Sequence, residues 1–203
     1  MNYTALVSAI TDETENTDTT FQANIPVFVK NAEKRIYQAV KIPALRQNRT
    51  TNFQANNQYL ALPTDYISTW EFAVIDGSGN YSYLKPKDVS FIREAYPLPT
   101  YTGTPKYWAQ MDATTFIVAP TPATALQAEL HYFGYPASIV DAGTSWLGTN
   151  FDNLLLYACL VEAAAFMKSE ADTVKTYQDQ YAVNLKLLQD YSMTQLRSRE
   201  YRS

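Results

Sequence analysis

The chain has 203 residues, of which 46% are hydrophobic and 18% charged, and its formal net charge at pH 7 is −4. This composition predicts a folded globular protein, and the negative charge argues against a nucleic-acid binder that works through a broad basic face. The single cysteine, Cys159, excludes an intrachain disulfide and is expected to be a small buried hydrophobe. No secretory signal is expected at the N-terminus, and residues 154–167 form too short an apolar stretch to span a bilayer.

Two helices are predicted in the first 48 residues. Apolar residues at i, i+3, i+4 and i+7 from Tyr3 to Ile10 form one stripe of a short helix. The acidic, Thr-rich segment 11–20 is expected to end it, either as an extra contact loop or as a disordered stretch. The second helix is predicted to have Asn24 as its cap and Pro26 in its first turn, and to stop near Pro43.

From residue 49 the hydrophobic period changes to two, which indicates β-strands. Segments 49–54 and 58–62 predict a hairpin. Segments 69–75 and 81–85 predict a second one, because the Gly and Asn residues between them tolerate positive φ.

The rest of the central region continues this pattern after one helix. Asp88 is expected to cap a helix over residues 89–96. Segments 106–111 and 115–118 are predicted to pair, and residues 125–135 to form a long last strand. About six strands with alternating faces predict a small antiparallel sandwich or a curled sheet.

The helical period returns at Phe151, in a helix that is apolar over most of its circumference and must therefore be central. The next helix, capped by Asp172 or Thr173, has a narrow apolar seam suited to lie along a helix of the same chain or of another. The seam residues are Val174, Tyr177, Tyr181, Leu185 and Leu188, with Tyr191 as a further candidate at its end.

The last residues, 195–203, are predicted to form a flexible tail, because the apolar stripe fades after Ser192. The tail is basic and aromatic, and its spacing predicts an extended segment with Tyr201 as an anchor. The residues expected to contact a partner are Arg197, Arg199, Tyr201 and Arg202. Arg offers paired hydrogen bonds to carboxylates, so an acidic partner surface is expected.

These elements predict an α+β fold with discontinuous domains. Residues 1–48 and 140–203 are expected to form a helical bundle body, and residues 49–139 an inserted antiparallel β-sandwich-like module.

No catalytic or cofactor-binding constellation is evident. His131 is the only histidine, no metal-binding motif occurs, and the glycines at 77 and 79 lie in a strand-to-strand turn rather than before a helix. Four carboxylates in the β-module are the weak candidates for glycoside hydrolysis: Asp65, Glu71, Asp76 and Glu94. We therefore expect neither an enzyme nor a cofactor.

Several short segments together resemble the head-to-tail adaptor proteins of tailed bacteriophages, the family that includes tail tubular protein A of short-tailed phages. The segments are Pro26–Ile36, Leu60–Tyr66, Ile117–Pro122, Thr144–Leu147 and Leu154–Ala164. The resemblance covers roughly residues 20 to 190.

The resemblance implies a structural virion protein in the neck between capsid and tail, made in the host cytoplasm. It implies a ring, commonly a dodecamer, that binds the portal protein, extends its DNA channel and docks the next tail component. Double-stranded DNA would pass through during ejection without specific binding. In that family the helical body forms the ring and the C-terminal segment reaches towards the portal, so we expect the basic tail to dock there.

The alternative function is a carbohydrate- or receptor-binding module associated with the tail. It is motivated by aromatic residues of the β-region, which can stack on sugars: Trp70, Tyr81, Tyr83, Tyr101, Tyr107 and Trp108. Such modules rarely need two flanking helix pairs.

Overall fold

The computed structural model describes residues 1–40 and 42–200, without the side chains of residues 43 and 196–200. The chain divides into two compact units, a helical unit of Met1–Leu45 with Tyr135–Ser203 and a β-unit of Arg46–Gly134. The boundaries predicted from sequence lie a few residues further along the chain. The predicted α+β fold is confirmed.

The regular elements of the described residues are as follows. The helices are α1 (Tyr3–Thr14), α2 (Thr19–Ala39), α3 (Val89–Ala95), α4 (Ile139–Ala142), α5 (Trp146–Asn150), α6 (Asp152–Met167) and α7 (Ala171–Glu200). The strands are β1 (Arg46–Phe53), β2 (Tyr59–Ala61), β3 (Tyr66–Ile75), β4 (Tyr81–Tyr83), β5 (Lys85–Pro86), β6 (Thr102–Gly103), β7 (Tyr107–Gln110), β8 (Thr115–Ala119), β9 (Thr121–Pro122) and β10 (Leu126–Gly134).

Helix α6 is the centre of the helical unit and packs against α1, α2, α5 and α7. Its sequence is apolar around most of its circumference, so neighbours on several sides are needed to cover it. Leu155, Ala158 and Cys159 are fully buried. Phe166 at its C-terminal end contacts Phe28 of α2, with ring centroids 5.3 Å apart.

Helix α2 starts earlier than the sequence suggested. Its cap is Asp18, whose Oδ1 accepts from the backbone N–H groups of Thr20 (2.7 Å) and Phe21 (3.3 Å). The prediction of Asn24 as the cap and of Pro26 in the first turn is therefore wrong, and Pro26 lies inside the helix.

The acidic segment 11–20 is neither an extra contact loop nor disordered, so that expectation is wrong. Helix α1 continues to Thr14 and ends at Glu15, which has a left-handed φ of 49°. The Gln22 side-chain amide donates to Thr11 Oγ1 and to the Asn16 carbonyl, both at 2.9 Å, and so ties the turn together.

Helix α7 also extends further than expected, to Glu200. The prediction that the segment from residue 195 is extended is therefore wrong for residues 195–200, whose backbone continues the helix. Residues 201–203 lie outside the described residues.

The β-unit is a sandwich of two four-stranded sheets, ordered β1-β10-β3-β4 and β2-β8-β7-β5. Alternating side chains of both sheets meet between them and include Phe53, Phe72, Phe116, Leu130 and Tyr132. Helix α3 covers the other face of the second sheet, through Ile92 packed with Ile117 and its neighbours.

Two predicted hairpins are confirmed and one is wrong. Strands β3 and β4 pair, as do β7 and β8. Strands β1 and β2 do not pair, because β1 joins β10 in the first sheet and β2 joins β8 in the second. The chain between β1 and β2 changes sheets instead. Two short pairs are parallel, β5 with β7 and β6 with β9.

Candidate functional site

His131 and Cys159, which have side chains capable of catalysis, lie in surroundings that suit a structural role. His131 Nε2 lies 3.4 Å from Glu129 Oε1, and its ring meets Trp70 edge-on at 6.2 Å. Burial raises the pKa of the Cys159 thiol, which disfavours the thiolate a nucleophile needs. Across residues 1–40 and 42–200, no group of three or more His, Cys, Asp or Glu side chains could hold a metal ion.

The four carboxylates considered for glycoside hydrolysis do not converge on one described cavity. Asp65 accepts from the Tyr132 hydroxyl at 3.0 Å. Asp76 accepts from the Asn80 side-chain amide and from backbone N–H groups of its own turn, and these hydrogen bonds lower its pKa. Glu71 lies on β3 and Glu94 on α3. These contacts assign Asp65 and Asp76 to the fold.

The seam of α7 packs within the same chain. Tyr177 is buried against Leu160, Val161 and Ala164 of α6, with Val174 and Tyr181 partly buried beside it. Two further seam residues continue the inner face: Leu185 is half-buried and Leu188 is fully buried. Burial raises the pKa of Tyr177 and of Tyr181.

The outer side of α7 has an apolar stripe of which the sequence pattern marks only Tyr191, as a candidate end of the inner seam. Val183 and Leu187 are 59% and 57% exposed, and Tyr191, one turn further, is 41% exposed. These residues recur every four positions, which places them along one side of a helix. That spacing was visible in the sequence, but the stronger inner seam hid it.

The stripe ends in an aromatic cluster. The ring of Tyr191 lies 6.0 Å from that of Trp146 on α5 and 5.6 Å from that of Phe151 at the start of α6. Trp146 and Phe151 are half-buried. The exposed stripe from Val183 to Tyr191 is therefore continuous with a surface of large aromatic side chains. We call the stripe and these aromatic side chains together the α7 outer surface.

The residues predicted to dock a partner through the tail lie at or beyond the end of α7. The backbone at Arg197 and Arg199 is helical, and Tyr201 and Arg202 lie outside the described residues.

The β-unit brings three of the six candidate aromatics together. Trp70, Tyr83 and Trp108 line a groove of about 480 Å³ that also contains Glu71. Tyr107 lines a neighbouring groove with Tyr83. The remaining two, Tyr81 and Tyr101, are exposed, at 53% and 50%, but line neither groove.

The helical unit also contains a cavity of about 310 Å³, lined by Tyr37 of α2 and by the segment 135–138. Lys30 and Lys34 line it as well. Buried Glu33 accepts from the Ile139 backbone N–H at 2.9 Å, which helps to cap α4. Burial raises the pKa of Glu33, although hydrogen bonds from Ser138 and Ile139 oppose the shift.

The described residues thus offer an exposed apolar surface on α7, two grooves in the β-unit and a cavity in the helical unit. None of the described helices is long and apolar enough to cross a membrane. No curated protein matches the chain. The family model described as SU10 adaptor protein matches residues 1–202. The chain therefore belongs to the SU10 adaptor protein family and is a structural adaptor of a bacteriophage.

Proposed function

We propose that this adaptor forms a ring beneath the portal, extends the DNA channel and docks the next tail component. Its membership of an adaptor family supports a position in the neck of the virion. The finer likeness to tail tubular protein A, and the dodecameric ring common among such adaptors, belong to this proposal.

The observation that carries the ring is the α7 outer surface. Val183 and Leu187 are more than half exposed, although the opposite side of the same helix is packed on α6. Large exposed apolar patches mark interaction sites, and a second copy is the partner that a ring requires.

The C-terminal segment is proposed as the portal contact. It contains Arg197, Arg199 and Arg202 with Tyr201, residue types that often dominate protein interfaces. An acidic groove of the portal would complement the three guanidinium groups. The net charge of −4 in turn suits a channel through which DNA passes without sticking.

Electron microscopy of the purified protein, alone and mixed with the portal of the same phage, tests the proposal. We expect rings stacked on the portal. Leu187→Glu should prevent ring formation, because it puts a charge in the apolar contact. The matched control is Gln178→Glu, which adds the same charge at an exposed position of α7 away from the stripe. A protein that stays monomeric with the portal, or a control that fails equally, contradicts the proposal.

The second candidate function is carbohydrate or receptor binding by the β-unit. The groove of Trp70, Tyr83 and Trp108 favours it, since aromatic faces stack on sugars and the Glu71 carboxylate can accept from hydroxyls. A glycan array with Trp70→Ala and Tyr83→Ala as variants tests it. Binding that both substitutions abolish would support a carbohydrate-binding role for the groove, and a protein that binds no glycan would exclude that role.

A further inference from the structure

Strand β1 is a long open edge of the first sheet. It pairs with β10 in continuous register over all eight residues, Arg46 to Phe53, and has no strand on its other side in the described chain. Its residues 48–52 are all exposed. Natural sheets usually protect such an edge with a very short strand, a proline, a bulge or free charges. β1 has neither a proline nor a bulge.

The two charged residues of β1 are already held by contacts within the β-unit. The Arg46 guanidinium carbon lies 3.8 Å from the centroid of the Trp70 ring, and Arg49 Nε donates to the Tyr132 hydroxyl at 3.2 Å. Both side chains are thus drawn towards the sheet. They do not stand across the open edge as protecting charges.

The direction of each backbone group follows from the sheet register. The N–H of Leu84 donates to the Phe72 carbonyl at 2.8 Å, so the backbone groups of Phe72 face the β4 side. Because the direction alternates along a strand, Ala73 faces β10, where it opposes Glu129. Glu129 in turn faces β3.

The same alternation continues to β1. Leu130 follows Glu129 and therefore faces β1, where it opposes Arg49. Asn48, Thr50 and Asn52 consequently point their N–H and C=O groups away from the sheet. No backbone hydrogen bond of the described chain ends on these outward groups. They form a row of free donors and acceptors for another strand.

A groove lies beside this edge, with a volume of about 230 Å³. Arg49 and Thr51 of β1 line it together with Leu60, Leu62 and Leu130. Added strands are recognised by main-chain hydrogen bonds together with pockets for alternate side chains. A strand placed on β1 would set every second side chain over this apolar groove.

The charge of β1 indicates what such a strand carries. The segment contains two arginines and no acidic residue, whereas the whole chain has a net charge of −4. A complementary strand therefore has carboxylates near Arg49 and apolar residues at alternate positions. The basic edge does not favour a second copy of β1 as the partner.

We propose that the β1 edge binds an extended acidic-apolar segment of another neck protein, the portal or the next tail component, as an additional strand of the sheet. The source of that segment rests on the proposed function. The geometry of the β1 edge and its groove does not depend on the proposed function.

Hydrogen–deuterium exchange at single-residue resolution tests the proposal on the full chain, free and bound to the purified portal or next tail component of the same phage. In the free protein the amides of Asn48, Thr50 and Asn52 should exchange fast, and those of Arg49 and Thr51 slowly. In the complex the three outward amides should become at least tenfold slower.

A pair of proline variants provides the matched control. Thr50→Pro removes an outward N–H, which edge strands tolerate, so the fold should survive while partner affinity falls about tenfold or more. Thr51→Pro removes an N–H that faces β10 and should lower the melting temperature of the β-unit. The neighbouring positions thus separate binding from folding.

The outcomes are distinct. A complex in which the outward amides stay unprotected and Thr50→Pro binds normally overturns the strand proposal and leaves the adaptor function standing. Failure to bind either neck protein overturns both. Protection of the same amides when the protein associates with itself would make the edge a contact between copies and overturn the assignment to another protein.

Discussion

Two neighbouring leucines of α7 offer a sharp test of how this helix is oriented. Leu188 is fully buried and Leu187 is 57% exposed. Successive helical residues are about 100° apart, so the way α7 packs on the rest of the helical unit decides which of the two is covered. Replacing each by alanine removes the same atoms from the same helix, and only their burial differs.

The expected magnitudes follow from burial. Leu188→Ala leaves a cavity in the helical unit and should lower the free energy of unfolding by about 3 kcal/mol, which corresponds to a decrease in Tm of roughly 6–12 °C. Leu187→Ala should change it by less than about 0.5 kcal/mol. The effect on ring assembly should have the opposite order, with the larger loss for Leu187→Ala. Leu187 belongs to the α7 outer surface, so its truncation should weaken the ring.

Thermal and urea unfolding followed by circular dichroism measures the first effect, and electron microscopy with the portal measures the second. Equal losses of stability in the two variants would refute the orientation of α7. If Leu187→Ala folds normally and still assembles with full affinity, the outer stripe is not the contact between subunits.

Three further predictions concern other parts of the chain. Deleting residues 195–203 should leave folding intact, weaken portal binding and make the remaining binding less sensitive to salt; equal affinity would remove the segment from the mechanism. Shortening the turn at residues 76–80, which lies at a hairpin tip, should leave the helical unit folded, and global unfolding would contradict the division into two units. Because the pKa of buried Glu33 is raised above its ordinary 4.5, folding favours the neutral acid, and its contribution to stability falls as the pH rises from that value. Glu33→Gln should flatten this pH dependence of unfolding above about pH 4.5, and an unchanged profile would contradict it.

The sequence determined the elements whose signals are local. The stripe of α2 and the nearly all-apolar α6 were visible from periodicity, because a helix repeats every 3.6 residues. The hairpin of β3 and β4 was visible from the turn between them, where Asp76 Oδ1 accepts from the N–H groups of Ser78 (2.8 Å) and Asn80 (2.9 Å). The inner seam of α7 was found in the same way.

Local signals misled where two choices were nearly equal. Asn24 and Asp18 are both good caps, and the buried Phe21 makes the earlier start favourable because it joins the apolar face of α2. The short link with Asn56 at a φ of 62° looked like a hairpin turn between β1 and β2. The strands that pair with β1 and β2 are distant in sequence, so the turn alone could not decide the pairing.

Only the tertiary structure decided which surfaces remain open. Val183 and Leu188 are both apolar residues of α7, but α6 covers one side of that helix and leaves the other exposed. Likewise, β1 is an edge strand because, in the described chain, it pairs only with β10. The other side of β10 pairs with β3. Periodicity reports that an apolar face or a strand exists, whereas exposure depends on long-range packing that brings separate segments together. The candidate binding surfaces of this adaptor therefore came from the fold.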